Sequence, residues 1–338
     1  MSENSNIIAK KSEPARLDKK DKEILSMLYL DSRIGYSAIG KKVGLSGPSV
    51  ERRIARLKSD GVIISLFANI CLPLAGRKSV RFYLKFDHMD KRTERQVAAM
   101  FRANPNTGWG MIGEGAYDVI WRIDARSEAD IAGAFSEITR RFGRMLAEKS
   151  FTLTTYQAYL PWNKAFGTQR HVLPQKYEFT APAALDSADL GILSMLSADA
   201  RASTVSIARK IGLSPDAARL RIARLVNMGV ISGFSAYYDT RRLGLDYYKI
   251  LVSFRNMSEQ KEREFLSYCM ENDNVVFVNK TIGEWEMEID IVSENNARLH
   301  EFMIDLKSRF GGQIGRHAFL SAVYEVLPNP LGQKRAQL

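Results

Sequence analysis

The sequence predicts an α+β protein of two tandem units, each placing an N-terminal winged helix-turn-helix before a ferredoxin-like βαββαβ domain. Three observations predict it. The stretch "GLSGPSVERRIARLKSDGVI" (44–63) returns as "GLSPDAARLRIARLVNMGVI" (212–231). Three short helical patterns and a β-branched run open each copy. A strand-helix-strand-strand-helix-strand alternation then completes it.

The repeat extends well beyond its best-matched stretch. "ILSML" (24–28) returns at 192–196, Gly76 at Gly244, Phe86 at Phe254, "RFG" (141–143) at 309–311, and Tyr156 at Tyr324, all at one constant offset without a gap. A period of that length, half the chain, is too long for a stacked solenoid, so the chain is a tandem domain duplication. The expected layout is a disordered tail (1–15), a winged helix-turn-helix (16–65) and a βαββαβ domain (66–160). A linker (161–184) with three prolines follows, then a second helix-turn-helix (185–233), a second βαββαβ domain (234–328) and a tail (329–338).

Within the first copy, "DKKDKEILSMLYLD" sets Ile24, Leu25 and Leu28 on one stripe, and "YSAIGKKVG" is a short helix stopped by Gly44. Ser46 is the expected N-cap of a third helix, with Pro48 tolerated in its first turn. Val50, Ile54 and Leu57 form that helix's buried stripe. At 3.6 residues per turn, Ser49, Arg52 and Arg56 then project outward within about 60° of one another. Arginines on such a face suit a DNA major groove, where they pair with guanine edges and neutralise phosphates. Arg53 lies at the border of the two faces and recurs as Arg221, which suits a structural or phosphate-binding role. "DGVIISLFANI" then turns at Gly61 into an expected wing strand.

The candidate DNA-binding residues are therefore Ser46, Ser49, Arg52, Arg53, Arg56 and Lys58 in the first copy, and Ser214, Arg219, Arg221 and Arg224 in the second. The second reading face is weaker: Ala217 stands for Ser49 and Leu220 for Arg52, and Asp216 opens the helix. We expect the first copy to contribute more of the DNA affinity.

The βαββαβ domain of the first copy is expected as a strand at 79–87, a helix at 92–104 and two strands within 107–124 around a Gly-rich turn. A helix at 127–143 follows, capped by Ser127, striped by Ile131, Phe135 and Ile138 and stopped by Gly143, before a closing strand at 148–160. The second copy repeats the order over 247–326.

The net charge of +11 gathers in the N-terminal half: positions 1–168 carry 28 Lys and Arg against 18 Asp and Glu, and positions 169–338 carry 21 against 20. Such asymmetry favours a polyanionic partner. No apolar run reaches the ~18 residues a membrane span needs, and the opening residues lack a signal-peptide pattern, so a cytoplasmic location is expected. Cys71 and Cys269 read as ordinary core residues. No phosphate-binding glycine loop, HExxH or GxSxG is present. No catalytic residue, cofactor or metal is expected, and His88, His171, His300 and His317, none of which recurs at the offset, read as structural or solvated.

The combination "LD…D…IL…L", "GLS" and "RxxRL…GVI" ahead of a βαββαβ domain resembles the Lrp/AsnC, or feast/famine, transcription regulators, over 17–160 and again over 185–328. The resemblance implies a sequence-specific regulator bound to double-stranded DNA. Its second domain, called RAM, would pair with another RAM domain through its sheet, with a small amino-acid-like effector near that seam. The family's G-x-x-D loop matches Gly115 to Asp118 and Gly283 to Glu286, which the resemblance makes effector-binding or interface residues. A usual member has one copy per chain, so here RAM domains pair either within the chain or between chains of a homo-oligomer. Two other functions use related features: a sirohaem decarboxylase-like enzyme on the same architecture, and an architectural protein that binds DNA without reading sequence.

Overall fold

The computed structural model describes residues 7–8, 13–167, 175–178 and 181–326. His171, most of the expected N-terminal tail and the whole C-terminal tail lie outside the described residues. The elements run in chain order as β1 (Ile7–Ile8), α1 (Lys19–Leu30), α2 (Tyr36–Val43), α3 (Gly47–Ser59), β2 (Ile63–Ile70), β3 (Lys78–Phe86), α4 (Lys91–Ala103), β4 (Thr107–Gly115), β5 (Val119–Ala125), α5 (Glu128–Phe142), β6 (Leu146–Tyr159) and α6 (Asn163–Phe166). They continue as β7 (Gln175–Glu178), α7 (Ser187–Ala198), α8 (Thr204–Ile211), α9 (Pro215–Asn227), β8 (Ile231–Tyr238), β9 (Asp246–Phe254), α10 (Glu259–Glu271), β10 (Val275–Gly283), β11 (Met287–Ser293), α11 (Asn296–Phe310) and β12 (Ile314–Val326).

The chain forms two compact units that do not follow the repeat. One combines 12–76 with 161–244, and the other combines 1–11, 77–160 and 245–338. Residues 66–76 and 234–244, expected in the sheet domains, pack in the helical unit, because β2 and β8 run through them.

In the helical unit, β2 and β8 are not free wings. They pair antiparallel, with Phe67 opposite Ser235, its own counterpart in the other copy. A strand pair centred on counterpart residues is a local pseudo-two-fold axis. Each strand also carries the other copy's first helix: Tyr238 Oη donates to the Leu25 carbonyl at 2.6 Å and Ser235 Oγ to the Tyr29 carbonyl at 2.7 Å. The exchange is reciprocal, since Ser32 N donates to Phe234 O at 3.1 Å and Ala200 N to Leu66 O at 2.8 Å. The start of the expected linker is folded rather than loose. Trp162 is buried, its ring centroid 6.0 Å from that of Tyr29 and 5.8 Å from that of Tyr238.

In the sheet unit, the eight strands of the two βαββαβ halves close on themselves in the order β12-β4-β5-β3-β6-β10-β11-β9, with β9 returning to β12. Every neighbouring pair is antiparallel. The seams are reciprocal: β6 of the first half pairs with β10 of the second, and β12 of the second with β4 of the first. The two RAM-type halves therefore pair within one chain, and closure leaves none of the eight strands as a bare edge. The short β1 adds to the end of β12.

Alternate strand residues face the helices. Val80, Phe82, Leu84, Val119, Trp121 and Ile123 pack with Val97, Phe101, Ile138 and Phe142 in the first half. Ile250, Val252, Ile289 and Ile291 pack with Phe265, Leu306 and Phe310 in the second. Ser127 caps α5 as expected, but its buried stripe is Ala134, Ile138 and Phe142. Phe135 lies exposed at the stripe's edge, with Lys149 over its ring at 4.8 Å.

Candidate nucleic-acid interface

The third helix of each helix-turn-helix, α3 and α9, is set by local sequence. Gly44 and Gly212 end α2 and α8 in the left-handed conformation, at φ 66° and 72°, where a side chain would be strained. Ser46 and Ser214 cap α3 and α9, accepting from Ser49 N at 3.3 Å and Ala217 N at 3.2 Å. These two serines are thus occupied in helix capping. Val50, Ile54 and Leu57 are buried, so the opposite side of α3 faces outward.

The four repeated arginines form a clamp. Arg53 Nη1 donates to Asp18 and to the buried Asp21, both at 2.7 Å, and Arg56 Nη2 to the other Asp21 oxygen at 2.5 Å. Arg221 repeats this on Asp186 at 2.7 Å and Asp189 at 2.9 Å, with Arg224 on Asp189 at 3.0 Å. Asp18 and Asp186 also cap α1 and α7, each in a capping box. The bonds to Asp18 and then to Asp21 raise the Arg53 guanidinium above its ordinary value. Burial pushes Asp18 upward, but the Asp21 N–H and Arg53 outweigh it, so its carboxyl titrates below the usual range. Asp186 is likewise lowered, first by the Asp189 N–H and then by Arg221.

Arg56, which its spacing places on the free outward face, is therefore half-committed to Asp21, as Arg224 is to Asp189. The reason is that a buried carboxylate with two acceptor oxygens draws both arginines one turn apart. Arg53 and Arg221, read from the sequence as structural or phosphate-binding, tie α3 to α1 and α9 to α7 through these acids. What stands clear on α3 is Arg52, exposed and, among the described residues, hydrogen-bonded within its own helix to Pro48 O at 3.4 Å and Ser49 Oγ at 3.5 Å, together with exposed Lys58. On α9 the matching positions hold Leu220 and Val226, both exposed; Arg219 lies beside exposed Asp216 at 3.5 Å.

The G-x-x-D loops sit at the barrel seams. At Gly115 and Gly283, with φ of 139° and 136°, a Cβ would strike the carbonyl oxygens of Phe319 and Phe151 respectively. Only glycine admits that close strand approach. Asp118 accepts from Phe86 N at 2.8 Å and pairs with Lys85 at 2.8 Å; Glu286 accepts from Phe254 N at 2.6 Å. These carboxylates fasten their own hairpins. The neighbouring Tyr117 and Trp285, counterparts in the repeat, meet across the seam, with Trp285 Nε1 3.3 Å from Tyr117 Oη.

Sequence reasoning missed the charged lining of the barrel. Glu288 takes Arg81 Nε at 3.3 Å, Lys249 Nζ at 3.0 Å and Tyr83 Oη at 2.5 Å. Lys249 also pairs with Asp290 at 2.5 Å, Arg122 with Asp124 at 3.1 Å, and Trp109 Nε1 donates to Glu325 at 3.0 Å. Burial alone would raise Glu288, but Arg81 and Lys249 bring it below its ordinary value, whereas burial raises both Asp124 and Asp290. The signal was present in "MEIDIV" (287–292), where acids alternate with aliphatics on a strand. Of the histidines, His317 lies part-buried on β12 and His300 exposed on α11; Cys71 and Cys269 are buried.

The helical segments have clear relatives. Residues 17–58 match the AsnC-type helix-turn-helix domain and 185–232 a winged helix-turn-helix DNA-binding model. A transcriptional regulator of Methanocaldococcus jannaschii, Ptr1, is 31% identical over 121 residues, which is 36% of this chain and 80% of that protein. The regulatory protein AsnC of Haemophilus influenzae is 27% identical over 122 residues, 35% of this chain and 79% of its own length. Among solved structures, the sirohaem decarboxylase NirDL superposes with a TM-score of 0.59 at 14% identity, covering 91% of this chain and 92% of that one. That likeness is one of fold, and it spans both copies. No helix among the described residues is long and apolar enough to cross a membrane.

Proposed function

Because the chain belongs to the Lrp/AsnC family of regulators, we propose that it is a transcriptional regulator that binds specific double-stranded DNA through α3 and α9. The observation that carries this reading is exposed Arg52 on the outward face of α3, engaged by no acid among the described residues while its neighbours Arg53 and Arg56 are held by Asp18 and Asp21, with exposed Lys58 further round the helix. A helix held rigidly by a clamp and presenting a bidentate donor outward is suited to a guanine edge. Exposed Lys41 and Lys42 at the end of α2 add cations for phosphates.

Selection of duplexes from genomic fragments by the purified chain tests the reading. It expects a small set of retained sequences, and Arg52→Ala should weaken binding to them by about 1–3 kcal/mol. Retention of no duplex, or an Arg52→Ala chain as tight as the original, defeats it. Equal affinity for all sequences with a steep salt dependence instead identifies an architectural protein. The same proposal includes an amino-acid-like effector at the Tyr117–Trp285 seam; calorimetric titration with the twenty amino acids tests that part, and absence of heat from all of them removes it.

A second reading, an enzyme acting on sirohaem carboxylates, is favoured by one observation, the full-length likeness in fold to NirDL. Against it, Arg81, Arg122 and Lys249 in the barrel are already matched to Glu288, Asp124 and Asp290, so they are poor hosts for added carboxylates. We propose that the chain is not an enzyme. Formation of decarboxylated product on incubation with sirohaem overturns that.

A further inference from the structure

The second helix-turn-helix differs from the first in a consistent way. Its exposed large apolar side chains are Leu190, Val205, Leu220, Val226 and Met228. At the corresponding positions the first copy has Lys22, Ser37, Arg52, Lys58 and Asp60. Three cations have become aliphatic, and Ser49 has become Ala217. The scaffold beneath is the same in both copies: helices of 13 residues, serine N-caps, left-handed glycine stops and the arginine clamp. Leu220 is 61% exposed on the side of α9 where α3 carries Arg52. Leu220 and Val226 lie on α9 itself, with Met228 at its end, while Leu190 and Val205 lie on α7 and α8.

We infer that α9 reads thymine, its Leu220 and Ala217 packing against the 5-methyl groups in the major groove, while α3 reads guanine through Arg52. The inference rests on the DNA-binding function proposed above. Thymine is the one base that offers a methyl group to the major groove, and apolar side chains are its natural partners. The surroundings still suit a duplex, because exposed Arg209 and Lys210 stand where the first copy has Lys41 and Lys42, and Arg219 is exposed on α9 itself. These cations are available to phosphates, Arg219 beside exposed Asp216 at 3.5 Å. Since β2 and β8 relate the two helices by a pseudo-two-fold axis, unlike faces require unlike half-sites. The operator is therefore asymmetric, guanine-bearing in one half and thymine-bearing in the other.

Base-analogue substitution on the full chain tests this. The probe is a retained duplex resynthesised with deoxyuridine for thymidine in one half at a time, which deletes the methyl groups and leaves pairing and phosphates intact. Uracil in the half-site lacking the critical guanine should weaken binding about fourfold per contacted methyl, the worth of one buried carbon. Leu220→Ala should bind the thymine probe more weakly and lose its sensitivity to uracil. Arg52→Ala should keep that sensitivity and lose the response to 7-deazaguanine in the other half. Equal binding of the thymine and uracil probes by the original chain, or an unchanged uracil effect in Leu220→Ala, overturns the inference. A Leu220→Ala chain that binds all probes normally but fails to associate with a protein partner does so too, and assigns the face to that partner. If no duplex is retained at all, it is the regulator reading that fails, at the selection step and before these comparisons begin.

Discussion

The helical pair and the sheet pair treat the same duplication in opposite ways. In the helical unit the clamp charges are alike in both copies: buried Asp21 with Arg53 and Arg56 recurs as buried Asp189 with Arg221 and Arg224 at nearly the same distances. What differs is outside, where Arg52 and Lys58 become Leu220 and Val226. In the barrel the buried charges themselves differ. Ile120 corresponds to Glu288, Arg122 to Asp290 and Asp124 to Val292, while Arg81 stays basic as Lys249. The first half thus lines the barrel with an excess of cations and the second with an excess of carboxylates. The copies diverge outward on α3 and α9 and inward in the sheets, where the unlike halves face each other.

This contrast can be broken most severely at the barrel. Glu288→Gln removes the carboxylate that Arg81 and Lys249 share, leaving Lys249 to Asp290 alone among its acids and Arg81 with neutral partners, and removing one member of such a buried network costs about 3–5 kcal/mol; urea unfolding should record it, and a loss below about 1 kcal/mol would mean the lining is not held by charge. The helical clamps come next. Asp21→Asn and Asp189→Asn each weaken two arginine bonds and a capping box, about 2–4 kcal/mol apiece. Because the clamps are alike the two losses should agree, and a twofold difference in melting shift would show that they are not equivalent.

The smallest effect is with pH. Asp18 and Asp186 titrate below their ordinary value in the folded chain. A carboxylate lowered by folding contributes stability that is complete above its unfolded value near pH 4 and is lost as pH falls through the folded value. In the barrel Glu288 acts in the same sense, but Asp124 and Asp290, raised by burial, act in the opposite one. Amide exchange between about pH 5 and about pH 3 should therefore show α1 and α7 loosening before the barrel strands. The reverse order would contradict the comparison.

Much of this molecule is legible in its sequence because it is local. The stripe of Val50, Ile54 and Leu57, the Ser46 cap and the Gly44 stop each depend on residues within a turn or two, so periodicity exposes them. Arg56 escapes periodicity for the opposite reason. Its spacing on α3 is that of an outward residue, and only the approach of Asp21, far back on α1, turns it inward. Phe135 similarly satisfies a helical stripe by spacing, yet the sheet beneath α5 selects Ala134, Ile138 and Phe142. The pairing of the wings is equally hidden, because alternation tells which face a strand buries but not which strand lies beside it.

By itself the sequence determined the duplication, the helix and strand order of each copy, and the unlike chemistry of the outer faces of α3 and α9, since these are written in residue identity and short-range period. Tertiary structure alone decided that β2 pairs with β8, that the two sheets close into one barrel within the chain, and that charges from distant strands meet inside it. Strand pairing and ion pairing join residues far apart along the chain, and no local pattern encodes which of the many compatible partners will be brought within reach.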